Sequence, residues 1–237
     1  MLDANFVDKI LEVSTPWVQP IDGVQFSNKA LKQVMPQEVD CLEVHALSAI
    51  PAFLGSGAIV AAHYFVHAVS HDRVEVCAIR LDSYGRRATV LSCVPVAVEP
   101  FPFGTWLESE RFIIGLQSKF VPSVGLEDVL RIASNLTGED AVVSQDDGIS
   151  QRVTVKKGMA FKESVTLSPL VKLAPYRTFP ELEQPTSDFL FRVKGDGGSR
   201  PLCALFEADG GRWKLAAMSA ITEWLVTYCP ENTTIIS

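Results

Sequence analysis

Three histidines, His63, His67 and His71, follow one another at intervals of four residues. On a helix this spacing would align three imidazoles on one face, an arrangement that binds zinc. The residues between them are β formers, however, and on a strand each step of four residues covers about 13 Å, too far for two such side chains to bind one metal ion directly. The sequence therefore predicts a strand followed by a turn, with neither a metal site nor a cofactor.

Two carboxylates, Glu207 and Asp209, stand between an apolar segment and the start of a predicted helix. Paired carboxylates can act as acid and base or bind a ligand, with a histidine or arginine expected beside them. The same residue types also suit a turn and a helix cap, because Asp caps helix N–H groups and Gly permits positive φ. We favour the turn and cap and keep both residues as ligand-site candidates.

A basic group of residues could form one charged face of a sheet, because Arg152 and Lys156 alternate with Val153 and Val155. With an aromatic residue nearby, such a face could bind single-stranded nucleic acid. A solvated sheet face is the favoured interpretation. The nucleic-acid candidates are Arg152, Lys156, Lys157, Lys162 and Arg192.

The composition is that of a folded, acidic protein. Of the 237 residues, 47% are hydrophobic and 21% are charged, and the formal net charge is −7. That charge disfavours general nucleic-acid binding, which needs a basic surface to displace counterions. The five cysteines form no CxxC pair, which favours reduced and mostly buried thiols. No secretory signal and no apolar run of about 20 residues is found, so we expect a soluble, cytoplasmic protein without a membrane partner.

The elements that must position these residues follow from hydrophobic periodicity and turn signals, which predict an α+β fold of antiparallel sheets with packed amphipathic helices, including a C-terminal helix. The first half is predicted to contain a helix over 6–11 capped by Asp3, a hairpin turning at Asp22-Gly23, a strand and short helix closed by Gly55 and Gly57, and a three-stranded antiparallel meander over 63–94. Helices over 106–120 and 126–136 and a hairpin turning at Asp147-Gly148 are predicted next. The chain is then predicted to form strands over 164–173 and 188–194, a loop at 195–200, a strand after Pro201 and a final helix over 212–228.

A boundary is predicted at 95–104, which holds three prolines and a glycine. We expect subdomains at 1–100 and 101–237, with one compact unit as the alternative.

Several strings resemble a family of phage and prophage proteins of the YfdQ type, for which no catalytic residues are established. In the second half these are WLESERFIIGLQSKFV, DDGISQRVTVKKGMA, LAPYRTFPELEQPTSDFLFRV and ALFEADGGRWKLAAMSAITEWL, and in the first half IDGVQFSNKAL, LEVHALSAIPAFL and SHDRVEV. The similarity covers about 21–225. It implies a phage early-region protein, in the cytoplasm of a bacterial host, near replication and recombination functions.

The segment 175–180 combines an aromatic residue, a cation and two prolines. Arg177 could pair with Glu181 or Glu207 and clamp this segment against the last strand, which is the favoured interpretation. An interface anchor is the alternative, because Tyr, Arg and Phe dominate binding hot spots. The interaction candidates are Tyr176, Arg177 and Phe179, with Phe101, Phe103 and Trp106 from the other aromatic segment.

Three hypotheses follow for function, in order of preference. The first is a non-enzymatic phage protein that acts by self-assembly into a homo-oligomer or by binding a phage or host protein, in DNA replication, recombination or host takeover. The second is a small-molecule-binding protein or hydrolase with a carboxylate site near Glu207 and Asp209. The third is a single-stranded DNA-binding protein.

Overall fold

The computed structural model describes residues 4–21, 24–27, 40–82, 85–135, 141–146, 151–157, 160–167, 170–195 and 201–237. Its helices and its antiparallel and mixed sheets confirm the α+β class. Internal contacts divide the chain into two compact units, Met1–Val39 and Asp40–Ser237.

The first unit consists of a helix and a hairpin. Helix α1 spans Ala4–Ser14, and strands β1 (Val18–Ile21) and β2 (Val24–Ser27) pair antiparallel. The predicted helix and hairpin are confirmed, whereas Asp3 and the turn residues Asp22-Gly23 lie outside the described residues. Pro16 follows α1, where it prevents the helix from continuing.

The second unit holds the remaining elements. In chain order they are β3 (Leu42–Val44), α2 (Ala49–Gly55), a 3₁₀ turn (Ala61–His63), β4 (Tyr64–Ser70), β5 (Arg73–Ala78), β6 (Thr89–Cys93), β7 (Leu107–Glu108), α3 (Ser109–Lys119), α4 (Val124–Asn135), β8 (Ala141–Asp146), β9 (Gln151–Lys157), β10 (Ala160–Leu167), β11 (Val171–Leu173), β12 (Ser187–Lys194), β13 (Leu202–Glu207), α5 (Arg212–Tyr228) and β14 (Thr234–Ile236).

One core lies beneath a five-stranded sheet of order β14-β4-β5-β6-β3. The predicted meander β4-β5-β6 is confirmed, with Val66 opposite Val76 and Val76 opposite Leu91. These side chains are buried together with Ile221 and Leu225 of α5. The parallel partners β3 and β14 extend the meander on both sides, which the sequence did not predict.

A second core lies beneath the antiparallel sheet β11-β12-β13-β7. Phe189 and Phe191 of β12 pack there with Leu205 of β13 and with Phe112 and Leu116 of α3. Burial alternates along β12, which is the pattern of a strand with one face on a core.

Two sequence predictions need correction here. The strand predicted over 164–173 is two strands, because β10 pairs with β9 whereas β11 pairs with β12 in another sheet. The helix predicted from Trp106 begins at Ser109, since Leu107 is paired with Cys203 in a sheet.

The remaining sheet has the order β10-β9-β8 and contains the predicted hairpin. Asp146 pairs with Gln151 across it. The turn residues Asp147-Gly148 and the loop residues 196–200 lie outside the described residues.

The cysteines are mostly buried, as predicted: only Cys41 of the five is exposed. Burial raises the pKa of Cys93 and Cys203 to about 12 and that of Cys229 to about 11. These three thiols therefore stay protonated at neutral pH. Within the described residues, no helix combines the length and the apolarity that a membrane span requires.

Candidate functional site

The segment that carries Arg177 is held in place by the amide side chain of Gln184. The Gln184 Oε1 atom accepts hydrogen bonds from the backbone N–H groups of Arg177 and Thr178, at 3.0 and 3.2 Å. Its Nε2 group donates to the carbonyls of Phe179 and Leu182, at 3.1 and 3.3 Å. Because Gln184 is buried, these bonds fix the conformation of the loop from inside.

The guanidinium group of Arg177 reaches two neighbouring strands and a helix. Its Nη1 group donates to Oε1 of Glu207 at 2.9 Å, and its Nη2 group donates to Oγ of Ser187. Its central carbon lies 3.8 Å from the ring centroid of Trp213, in the first turn of α5. The predicted pair with Glu207 is confirmed, whereas Glu181 accepts a hydrogen bond from the backbone N–H of Leu47 instead.

His71 completes this group from the turn between β4 and β5. Its ring meets that of Trp213 edge-on, with 4.7 Å between the centroids, and its carbonyl accepts a hydrogen bond from Thr178. Burial lowers the pKa of His71, the nearby Asp72 opposes this, and the charges of Lys214 and Arg177 reinforce it. The imidazole is therefore neutral at pH 7. The Arg177 cluster is defined here as His71, Arg177, Ser187, Glu207, Asp209 and Trp213.

Asp209 caps the start of α5. Its Oδ1 atom accepts a hydrogen bond from the Gly211 N–H at 3.0 Å, and Gly210 and Gly211 adopt positive φ angles of 63° and 80°. Partial burial acts to raise the pKa of Asp209, but hydrogen bonds from Ser187 and Gly211 and the charge of Arg177 lower it overall. The predicted turn and cap are confirmed at this position.

Most polar groups of the Arg177 cluster form hydrogen bonds or ion pairs with one another. The Arg177 side chain is 11% exposed and that of Glu207 is 42% exposed. Burial lowers the pKa of Arg177, the charges of Glu207 and Asp209 oppose this shift, and a guanidinium remains charged in any case. The two carboxylates thus lie beside an arginine, one of the two residue types that the ligand-site hypothesis named. Their contacts are those of an ion pair and a helix cap, however, so the geometry favours the structural clamp.

The histidine spacing does not assemble a metal centre. His67 lies on the predicted strand, β4, whereas His63 ends the 3₁₀ turn before it and His71 follows the strand. Among the described residues, no group of three His, Cys, Asp or Glu side chains could hold a metal ion.

The aromatic interaction candidates divide by burial. Phe101 and Phe179 are buried in the two cores, and their role as interaction candidates stays a prediction. Phe103 and Trp106 are partly buried, and Phe103 stacks on Phe189 at 5.1 Å between ring centroids. Tyr176 is 44% exposed and is the most accessible of the six candidates.

The basic candidates are distributed over two sheets. Arg152, Lys156 and Lys157 belong to β9 and Lys162 to β10, where their side chains lie outside what the structure describes. Arg192 stands on β12 opposite Ala204, and its Nη1 atom is buried. The nucleic-acid hypothesis stays a prediction.

An apolar surface that the sequence analysis did not single out lies in the first unit. Every side chain described over 5–20 and 26–27 is exposed, and the four that form the apolar stripe of α1 are between 43% and 56% exposed. Periodicity revealed the stripe but not what covers it. The N-terminal apolar surface is defined here as Phe6, Val7, Ile10, Leu11 and Val13 of α1.

Comparison of the chain with family models, with curated proteins and with solved structures finds no match. The resemblance to the YfdQ-type family stays a prediction.

Proposed function

We propose that this chain acts by binding protein chains through its N-terminal apolar surface. The observation that carries the proposal is the exposure of the apolar stripe of α1, formed by Phe6, Val7, Ile10 and Leu11. Large apolar side chains gathered on one exposed helix face are typical of interaction sites.

The elements of the first unit also gain stability from being covered. Helix α1 has 11 residues, and isolated helices shorter than about 12–15 residues are marginal in water. The paired strands β1 and β2 form a two-stranded sheet, and such hairpins are marginal as well without further packing. A partner that buries Ile10 and its neighbours would stabilise the helix.

The charges of α1 favour a protein partner over a phosphate-rich one. The helix carries Asp8, Lys9 and Glu12, and Lys9 pairs with Glu12 at 3.2 Å. Helices that bind anionic lipids or nucleic acid present several lysines and arginines on the polar face. A partner would therefore recognise this surface through apolar contacts and complementary shape, and not through opposite charge.

The Arg177 cluster supports a non-catalytic role because its charged groups hold the second unit together. Arg177 connects β12 and β13 with α5, and His71 adds the turn after β4. The resemblance to phage proteins supports a place for this binding activity in phage DNA replication, recombination or host takeover.

Photo-cross-linking tests the proposal in the cells that express the protein. The photoreactive residue p-benzoylphenylalanine replaces Phe6 in one variant and Leu215, which is 74% exposed on α5, in a matched control. We expect illumination to join the chain to another protein chain from position 6 and far less from position 215. Equal yields at the two positions, or no intermolecular product from position 6, would contradict the proposal.

A further inference from the structure

We infer that the N-terminal apolar surface binds a second copy of this chain, with the α1 helices of the two copies packed against each other. The inference rests on the proposed function and names its partner. Its first support is the spacing of the apolar residues. Phe6, Ile10 and Val13 follow one another at intervals of four and three residues, which is the seam spacing of paired helices.

The amount of exposed surface fits a symmetric pair. The five α1 residues of this surface are between 43% and 67% exposed, which corresponds to roughly 500 Å² per chain. Two copies that cover each other would bury about 1,000 Å², the lower limit for a specific interface.

The charge distribution is compatible with self-association. Lys9 and Glu12 are paired within the helix, so α1 offers no strongly charged face that would require a partner of opposite sign. An isologous dimer presents the same patch on both sides, and an apolar patch is complementary to itself. The net charge of −7 on each chain makes the copies repel at long range, and salt screens this repulsion. Dimerisation is therefore expected to strengthen as salt is added.

Light scattering of the purified full-length chain tests the inference. We expect a mass of twice 25.9 kDa for the wild type and a mass of 25.9 kDa for both Ile10→Glu and Ile10→Lys. Both substitutes are good helix formers, and they carry opposite charges, so a shared loss of the dimer identifies apolar contact as its cause. The matched control Leu215→Glu makes the same charge change on α5 and should leave the dimer intact.

The outcomes separate this inference from the proposed function. A wild-type mass of 25.9 kDa, or a dimer that survives both substitutions of Ile10, overturns the self-pairing. If position 6 nevertheless cross-links to a different protein, the proposed function stands with another partner. If position 6 gives no intermolecular product at all, both proposals fail. Unchanged thermal unfolding of the second unit in each Ile10 variant shows that loss of the dimer does not come from unfolding of that unit.

Discussion

The guanidinium carbon of Arg177 lies 3.8 Å from the ring centroid of Trp213, while its Nη1 group donates to Glu207 at 2.9 Å. One side chain thus joins the end of β13 to the first turn of α5. A planar guanidinium can stack on an indole and donate in its own plane at the same time, which an ammonium group cannot do. The charge is therefore used to hold the fold together.

Replacing Arg177 with Lys should destabilise the second unit. The ammonium group keeps the positive charge but loses the stacking on Trp213 and cannot reach Glu207 and Ser187 together. Because the side chain is largely buried, we expect the free energy of unfolding to fall by about 2–4 kcal/mol, measured by urea denaturation.

The matched control is Arg131→Lys. Arg131 pairs with Asp128 at 2.8 Å, but the Arg131 side chain is 72% exposed. Exposed pairs contribute little, so this change should stay within about 0.5 kcal/mol of the wild type. Equal effects of the two substitutions would show that Arg177 is not a clamp.

Gln184→Glu tests the buried amide that fixes the Arg177 loop. The substitution preserves size but replaces a donor with an oxygen that faces the carbonyls of Phe179 and Leu182. We expect a loss of about 2–3 kcal/mol in the free energy of unfolding at neutral pH, because the carbonyls of Phe179 and Leu182 then lose their donor and face a buried carboxylate oxygen. Gln117→Glu, on the exposed side of α3, should have almost no effect. Equal stability of the Gln184 variant and the wild type would refute this role for the amide.

The lowered pKa of His71 predicts a pH dependence of stability. Because the folded state binds a proton at His71 less readily than the unfolded state, the unfolded chain holds more protons as the pH falls through the ordinary histidine value of 6.5. The contribution of the neutral His71 side chain to the free energy of unfolding should therefore be fully present above that pH and decrease below it. Urea denaturation between about pH 8 and pH 5 measures the slope.

His71→Phe is the informative variant, since it keeps an aromatic ring against Trp213 and removes the titrating group. Its free energy of unfolding should fall less than that of the wild type between neutral pH and pH 5. The contribution of Asp209, whose pKa is also lowered, is lost at a more acidic pH, below the ordinary aspartate value of 3.8. Identical slopes for the variant and the wild type would contradict the assignment to His71.

Elements with strong local patterns could be predicted from the sequence. Helix α5 begins and ends at Arg212 and Tyr228, as its periodicity and the preceding glycines indicate. Which of its aromatic side chains are covered does not follow from periodicity alone: Tyr228 is exposed, whereas Trp213 is buried beneath Arg177. Periodicity gives an approximate face of a helix, and the tertiary neighbours decide which edge of that face is covered.

Contacts between distant segments could be predicted only where chemistry suggested a partner. The pair of Arg177 and Glu207 was one of two alternatives, because a lone arginine between prolines near acidic residues favours an ion pair. Ser187 and Trp213 carried no such signal, and the parallel pairing of β14 with β4 joins residues far apart in sequence. The exposed stripe of α1 was visible as a pattern, but its lack of burial is a property of the folded chain.

Hydrogen exchange of the α1 amides at several protein concentrations tests the central claim most directly. An 11-residue helix without a partner should exchange quickly, whereas the same helix packed in a dimer should be protected. We predict that protection over Ala4–Ser14 rises with concentration and disappears in Ile10→Glu, while protection of α5 does not change. Exchange over Ala4–Ser14 that is the same at every concentration would contradict the account.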